Sequence, residues 1–140
     1  MQLLEQAGLP FRAVPSGIDE RPTRKLAPLG LARWAAEAKA RAVALRFPKE
    51  IVLAADTVVA LNGRAYGKPA HREEARQTLS ALSGRTHIVY TAVVVLEGSG
   101  SQPVSGFSRT LVTMRELSPS VIGRYLATGE AQDKAGAYAI

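Results

Sequence analysis

Asp56 closes the apolar run Ile51-Val52-Leu53-Ala54-Ala55, which has the character of a strand. A carboxylate there is costly to bury unless a cation, a metal or hydrogen-bond donors meet it. Because ligands gather at the carboxyl ends of strands in α/β proteins, Asp56 suits a metal ligand or a general base. The competing reading is a turn cap acting through Thr57. Lys68 stands between Gly67, which permits close backbone approach, and Pro69, which fixes the chain; that setting suits an amine presented to a phosphate. No glycine-rich cradle of the Walker kind surrounds it. Lys39 interrupts the alanine-rich stretch Ala38-Lys39-Ala40, where the plain expectation is an amine snorkelling from the edge of a packed face.

Other polar groups are weaker candidates. Asp19 and Glu20 are adjacent acids in a Pro/Gly-bounded loop, which could hold a hard divalent cation or simply be solvated. Asp133 and Lys134 form either a salt-bridged turn or a second acid and base pair. Arg85 and His87 flank Thr86 ahead of a β-rich run, and a histidine at a strand start is more often hydrogen-bonded structure than catalyst. His71 and His87 are the chain's two histidines, and they make no zinc pattern.

The elements that must position these groups follow from periodicity and punctuation. Leu3, Leu4 and Ala7 end an amphipathic helix at Gly8 and Pro10, and Phe11 to Val14 reads as a short strand. The spacing predicts a helix over 31–45 with Leu31, Ala35, Ala38, Ala42 and Leu45 along its buried stripe. Residues 51–55 read as a strand buried on both faces. Asn62-Gly63 signals a tight hairpin returning through Arg64-Ala65-Tyr66. Arg72 to Leu82 is a second helix, begun at His71 where a better cap is expected, at a loss of about 1 kcal/mol. His87 to Leu96 and Val104 to Thr113 pair antiparallel across a Gly/Ser turn, and Ser118-Pro119 opens a last helix ending at Gly129.

Composition bounds the rest. The chain has 140 residues, 46% hydrophobic and 21% charged, which suits one globular domain. With no cysteine, disulfide scaffolds and thiolate metal sites are excluded, and a cytoplasmic location is the default. No apolar run reaches bilayer length, so no membrane partner is expected. A net charge of +6 invites a nucleic-acid reading, but the basic residues are dispersed and aromatics make up only 6%. A positive cleft drawing in a polyphosphate explains the charge better, and no stable nucleic-acid partner is expected.

In order along the chain, Ile18-Asp19-Glu20, Lys39-Ala40, Ala55-Asp56-Thr57-Val58-Val59, Gly67-Lys68-Pro69, Leu82-Ser83-Gly84-Arg85-Thr86-His87, Val89-Tyr90-Thr91 and Asp133-Lys134-Ala135-Gly136-Ala137-Tyr138 closely resemble the Maf family. The resemblance implies an α/β fold, a mixed sheet with flanking helices and two lobes around a central cleft. It also implies hydrolysis of nucleoside triphosphates to monophosphate and pyrophosphate, with a divalent metal, Mg²⁺ or Mn²⁺. Under it Asp56 matches the family's proton acceptor or a metal ligand, Glu20 a second metal ligand, and Lys39, Lys68 and Arg85 substrate-binding residues. Thr57 matches a position tied to base choice, and Asp56-Thr57 resembles the branch acting on dTTP and UTP.

The family opens with a strand and a Ser-x-Ser-Pro-Arg-Arg segment and continues beyond the equivalent of Ile140. The expectation is therefore a single domain over 1–140 lacking the first strand with its phosphate-binding loop and the C-terminal elements. A homodimer is the candidate assembly. Two other functions compete: a non-catalytic protein of the septum-formation type, and a basic nucleic-acid-binding module.

Overall fold

The structure is a computed structural model, and it describes residues 2–19, 22, 23 and 25–139. Four strands, β1 (Ile51–Leu61), β2 (Arg64–Tyr66), β3 (Thr86–Glu97) and β4 (Val104–Thr113), form one sheet in the order β2-β1-β3-β4. Every pairing among them is antiparallel. Among the described residues there are four α-helices, α1 (Gln2–Gln6), α2 (Pro28–Arg46), α3 (Arg72–Leu82) and α4 (Pro119–Ala127), of which α2 covers the sheet and α4 packs on α3. Two short 3-10 turns, Glu130–Asp133 and Ala135–Ala137, follow α4.

Local chemistry explains most boundaries. The β1–β2 turn places Asn62 at φ 50° and Gly63 at φ 76°. Two successive residues in that region make the turn whose twist matches a two-residue hairpin. Ser118 accepts a hydrogen bond from the Val121 amide, and Pro119 occupies the first turn of α4, where its missing N–H costs nothing.

The expected cap loss at α3 is corrected. His71 Nδ1 accepts from the Glu74 amide at 3.2 Å, while Glu74 Oε2 accepts from the Ala70 amide at 2.7 Å. The imidazole thus does the work of a capping carboxylate, in a reciprocal pair.

α2 spans one sheet face as expected, but its buried stripe is Ala32, Ala35, Ala36, Ala40 and Ala44. Leu45, expected inside, is 75% exposed. Alanine-rich helices carry little contrast between faces, so the smallest side chains, which allow the closest approach to the sheet, fix the rotation instead.

β1 is also finished differently from the reading of a strand buried on both faces. Val52 and Val58 pack with Ala92, Val94 and Leu96 of β3 under α2. On the opposite face Val59 and Leu61 are covered, with Leu82 of α3 and Val89 of β3, whereas Ile51 and Leu53 are 72% and 50% exposed. The reason is reach: α2 runs along the sheet, while α3 meets only the hairpin end. A third cluster, built from Ala75, Leu79, Ile122, Leu126, Ala131 and Ala137, joins α3, α4 and the 3-10 turns. Phe11 to Val14 is not a strand. It faces the unpaired edge of β1 across an open cavity of about 980 Å³, so it has no neighbouring backbone with which to form a ladder.

Candidate functional site

The centre of the site is the Lys39–Asp56 pair. Side chains alternate across a strand, so Val52, Ala54, Asp56 and Val58 all point toward α2. Asp56 lies opposite Ala92 of β3, whose small side chain leaves room beneath the helix. Lys39, between the buried Ala36 and Ala40 turns of α2, reaches down so that Nζ stands 2.7 Å from Asp56 Oδ1. The side chains are only 18% and 14% exposed, so this is a partly desolvated, charge-assisted contact. Lys39 therefore does not snorkel outward, the outcome expected from its local sequence alone. Both residues make further interactions beyond this bond.

The cavity beside β1 meets this pair at Lys39. Lys39, Val43 and residues 51–55 line one side and residues 9–14 the other. The amine at its wall gives a cleft able to hold an anion, with the Asp56 carboxylate 2.7 Å from that amine.

Thr57 points to the opposite face of the sheet, where its hydroxyl pairs with Thr91 at 2.9 Å. Asp56 and Thr57 are thus adjacent in sequence and separated by the sheet. Lys68 is exposed, on the loop after β2. Because Tyr66 pairs with Val59, the antiparallel direction carries the chain back toward the Asp56–Thr57 segment as it enters Gly67-Lys68. At the entry of the loop the Gly136 amide donates to the Gly67 carbonyl at 3.0 Å, and at its far end the Ala70 amide donates to Glu74.

Arg85 is not brought to the pair. It precedes β3 at Thr86, while Asp56 lies opposite Ala92, a separation of roughly 20 Å at 3.3 Å per residue. Asp19 is exposed on its loop and has an interaction partner. Glu20 lies outside the described residues. Asp133 and Lys134 are exposed beyond α4.

His87 is a buried structural group, 1% exposed. Its Nε2 lies 2.5 Å from the Tyr138 hydroxyl, and the two rings meet edge to face at 5.5 Å. Among the described residues its Nδ1 has no hydrogen-bond partner. Burial lowers the His87 pKa below the ordinary 6.5, only partly offset by the Arg85 backbone, and burial raises that of Tyr138. Burial therefore favours the neutral ring, which can pair with the phenol in either tautomer. Sequence reasoning anticipated a hydrogen-bonded His87 but gave Tyr138 and Gly136 no role. Their only signal was their place in the Asp133–Tyr138 string.

The donor set favours a hard cation held largely by its ligand. Among the described residues no three His, Cys, Asp or Glu side chains are grouped to cage an ion. Mg²⁺ is commonly held by one or two carboxylates together with substrate phosphates, a mode open to Asp56.

The whole chain, residues 1–140, matches the family described as Maf-like protein. It belongs to the Maf family. Among similar Maf proteins, the dTTP/UTP pyrophosphatase of Moorella thermoacetica is 48% identical over 139 residues, covering 99% of this chain and 72% of that protein. The dTTP/UTP pyrophosphatase of Pelotomaculum thermopropionicum is 45% identical over 138 residues with the same coverage. That of Pyrococcus furiosus is 43% identical over 126 residues, 90% of this chain and 65% of that protein. Among the described residues no helix is long and apolar enough to cross a membrane.

Proposed function

We propose that this protein is a nucleoside triphosphate pyrophosphatase that hydrolyses dTTP and UTP, or modified forms of them, to the monophosphate and pyrophosphate. The observation that carries the reading is the Lys39–Asp56 pair, 2.7 Å apart with Lys39 at the wall of an open cleft, in a chain that belongs to the Maf family and resembles dTTP/UTP pyrophosphatases along its length. The bond broken joins the α-phosphorus to the bridging oxygen of the β-phosphate, and the bond formed joins the α-phosphorus to the oxygen of water. The water's proton must leave and the departing pyrophosphate must be stabilised.

Asp56 serves the first need, taking the proton from the attacking water or holding the cation that activates it. Lys39 holds the Asp56 carboxylate in place and presents its positive charge to the phosphates as they enter. Lys68, on its exposed loop, reaches the β- and γ-phosphates and counters the charge that builds on the leaving group. Asp56, with Glu20 and phosphate oxygens of the substrate, would hold a divalent cation, Mg²⁺ or Mn²⁺, which masks phosphate charge and lowers the pKa of a bound water. Thr57 contributes to base choice through the opposite face of β1. Arg85, distant along β3, is assigned substrate contact through the family resemblance alone.

The test is pyrophosphate release from dTTP, UTP, CTP, GTP and 7-methyl-GTP with Mg²⁺ or Mn²⁺. Selective turnover of dTTP and UTP is expected. Equal turnover of all five, or none, overturns the reading. Asp56→Asn is expected to lower kcat by about 10²–10⁴-fold. Near-normal turnover in that variant removes Asp56 from the mechanism.

A further inference from the structure

The segment Ala135–Tyr138 is strained, buried and tied to three separate elements. Gly136 sits at φ 72° and Ala137 at φ 62°, successive residues in the left-handed region, and the second of them carries a Cβ. Backbone of this kind persists only where its surroundings over-determine it. Here they do. A Cβ at Gly136 would lie 2.7 Å from Val59 Cγ2 and 3.0 Å from Val59 Cβ, so the backbone is pressed against β1 too closely for any side chain. The Gly136 amide donates to the Gly67 carbonyl at 3.0 Å. Two residues on, the Tyr138 hydroxyl is bonded to buried His87 on β3. Ala137 is fully buried among α3 and α4 residues.

Gly67 is the residue before Lys68. Among the described residues this bond is the backbone tie at the loop's entry; Lys68 is exposed, Pro69 beside it is buried, and the far end is tied through Ala70 to Glu74 of α3. We propose that Gly136 and Tyr138 are positioning residues: the strained 135–138 segment is a clasp, anchored on His87 and Val59, that holds the Gly67 carbonyl and so aims Lys68 at the phosphates. The proposal rests on the pyrophosphatase reading for its kinetic consequence but not for its structural one. The strain localises the device. A relaxed turn at 135–138 would need a side-chain-sized gap above Val59, and closing that gap is what brings the Gly136 amide within reach of Gly67.

The experiment combines steady-state kinetics on dTTP with hydrogen exchange of the residue-136 amide, the donor to the Gly67 carbonyl, in Gly136→Ala, Tyr138→Phe and Gly136→Ala combined with Val59→Ala. Gly136→Ala is expected to raise KM and lower kcat, each by up to about 10-fold, because a mispositioned Lys68 loses both its hold on the bound phosphates and its stabilisation of the leaving group. Protection of the residue-136 amide should fall about 10-fold while the amides of β1 and β3 around Asp56 and Ala92 keep theirs. Adding Val59→Ala removes the methyl groups that a Cβ would strike, and it should restore part of both effects. Tyr138→Phe, which keeps the ring and loses the hydroxyl, should move the same readouts in the same direction by about 3-fold, and it decides the matter if Gly136→Ala does not fold. Unchanged protection of the residue-136 amide in a folded variant overturns the clasp, as does uniform loss of protection across the sheet. If the parent chain turns over no nucleotide, the pyrophosphatase reading fails and the exchange measurement still decides the clasp.

Discussion

Lys39 and Lys68 are presented by opposite means. Lys39 projects from the middle of a 19-residue helix whose buried face is entirely alanine, pressed on the sheet through Ala32, Ala36, Ala40 and Ala44. Lys68 stands on a short exposed loop whose position depends on a backbone bond to a remote strained segment. One amine is placed by packing and cannot move without the helix. The other is placed by a tether and can yield locally. The difference suits a site in which the group holding the acid must be rigid, while the group meeting the outer phosphates must admit substrate and release pyrophosphate.

The comparison breaks most visibly at Lys39. Lys39→Met leaves the Asp56 carboxylate, 14% exposed, without its ammonium, and is expected to destabilise the fold by about 2 kcal/mol as well as abolish turnover. Lys68→Met should leave the denaturant midpoint unchanged while raising KM and lowering kcat, each about 10-fold. Urea melts and kinetics on the two variants check the contrast; equal stability losses would mean that the lysines are held alike. Ala36→Leu sharpens the same point. Ala36 is fully buried against the sheet, so added methylenes should cost about 1–3 kcal/mol by forcing α2 outward. Turnover should fall with it, because the Lys39–Asp56 contact spans that interface.

These two regions were unequally legible in the sequence. The hairpin at Asn62-Gly63, the whole of α3, β4 and the start of α4 could be read from turn residues, caps and β-branched runs, which act locally. The rotation of α2 could not. A helix whose apolar residues are mostly alanine offers little periodic contrast, and the choice of buried face was made by the sheet beneath it. For the same reason Lys39 looked like an edge residue until β1 supplied Asp56. The one-sided exposure of Ile51 and Leu53 depends on how far α3 extends along the sheet, which no local pattern encodes. The clasp was invisible because its strain arises from Val59, more than seventy residues earlier.

The His87–Tyr138 anchor makes a pH prediction of smaller size. His87 has its pKa below 6.5 in the folded protein because it is buried. As pH falls through about 6.5 the unfolded chain binds a proton that the folded chain resists, so stability is fully present above that value and declines below it. The urea midpoint should therefore drop between pH 7.5 and 5.5. His87→Gln should lower the midpoint at pH 7.5 and flatten that dependence. An unchanged slope in His87→Gln would mean that the anchor does not titrate with folding.

The smallest expected effect concerns the cap at His71. Its Nδ1 accepts the Glu74 amide at 3.2 Å at the start of α3. His71→Asp keeps an acceptor there, adds a favourable negative charge and should stabilise the protein by about 0.5–1 kcal/mol at pH 7. Urea melts of the two proteins at pH 7 check the gain. If His71→Asp instead destabilises α3, the Glu74 partnership with the Ala70 amide, only 2.7 Å long, is the contact that a second carboxylate disrupts, and the cap depends on a neutral partner for Glu74.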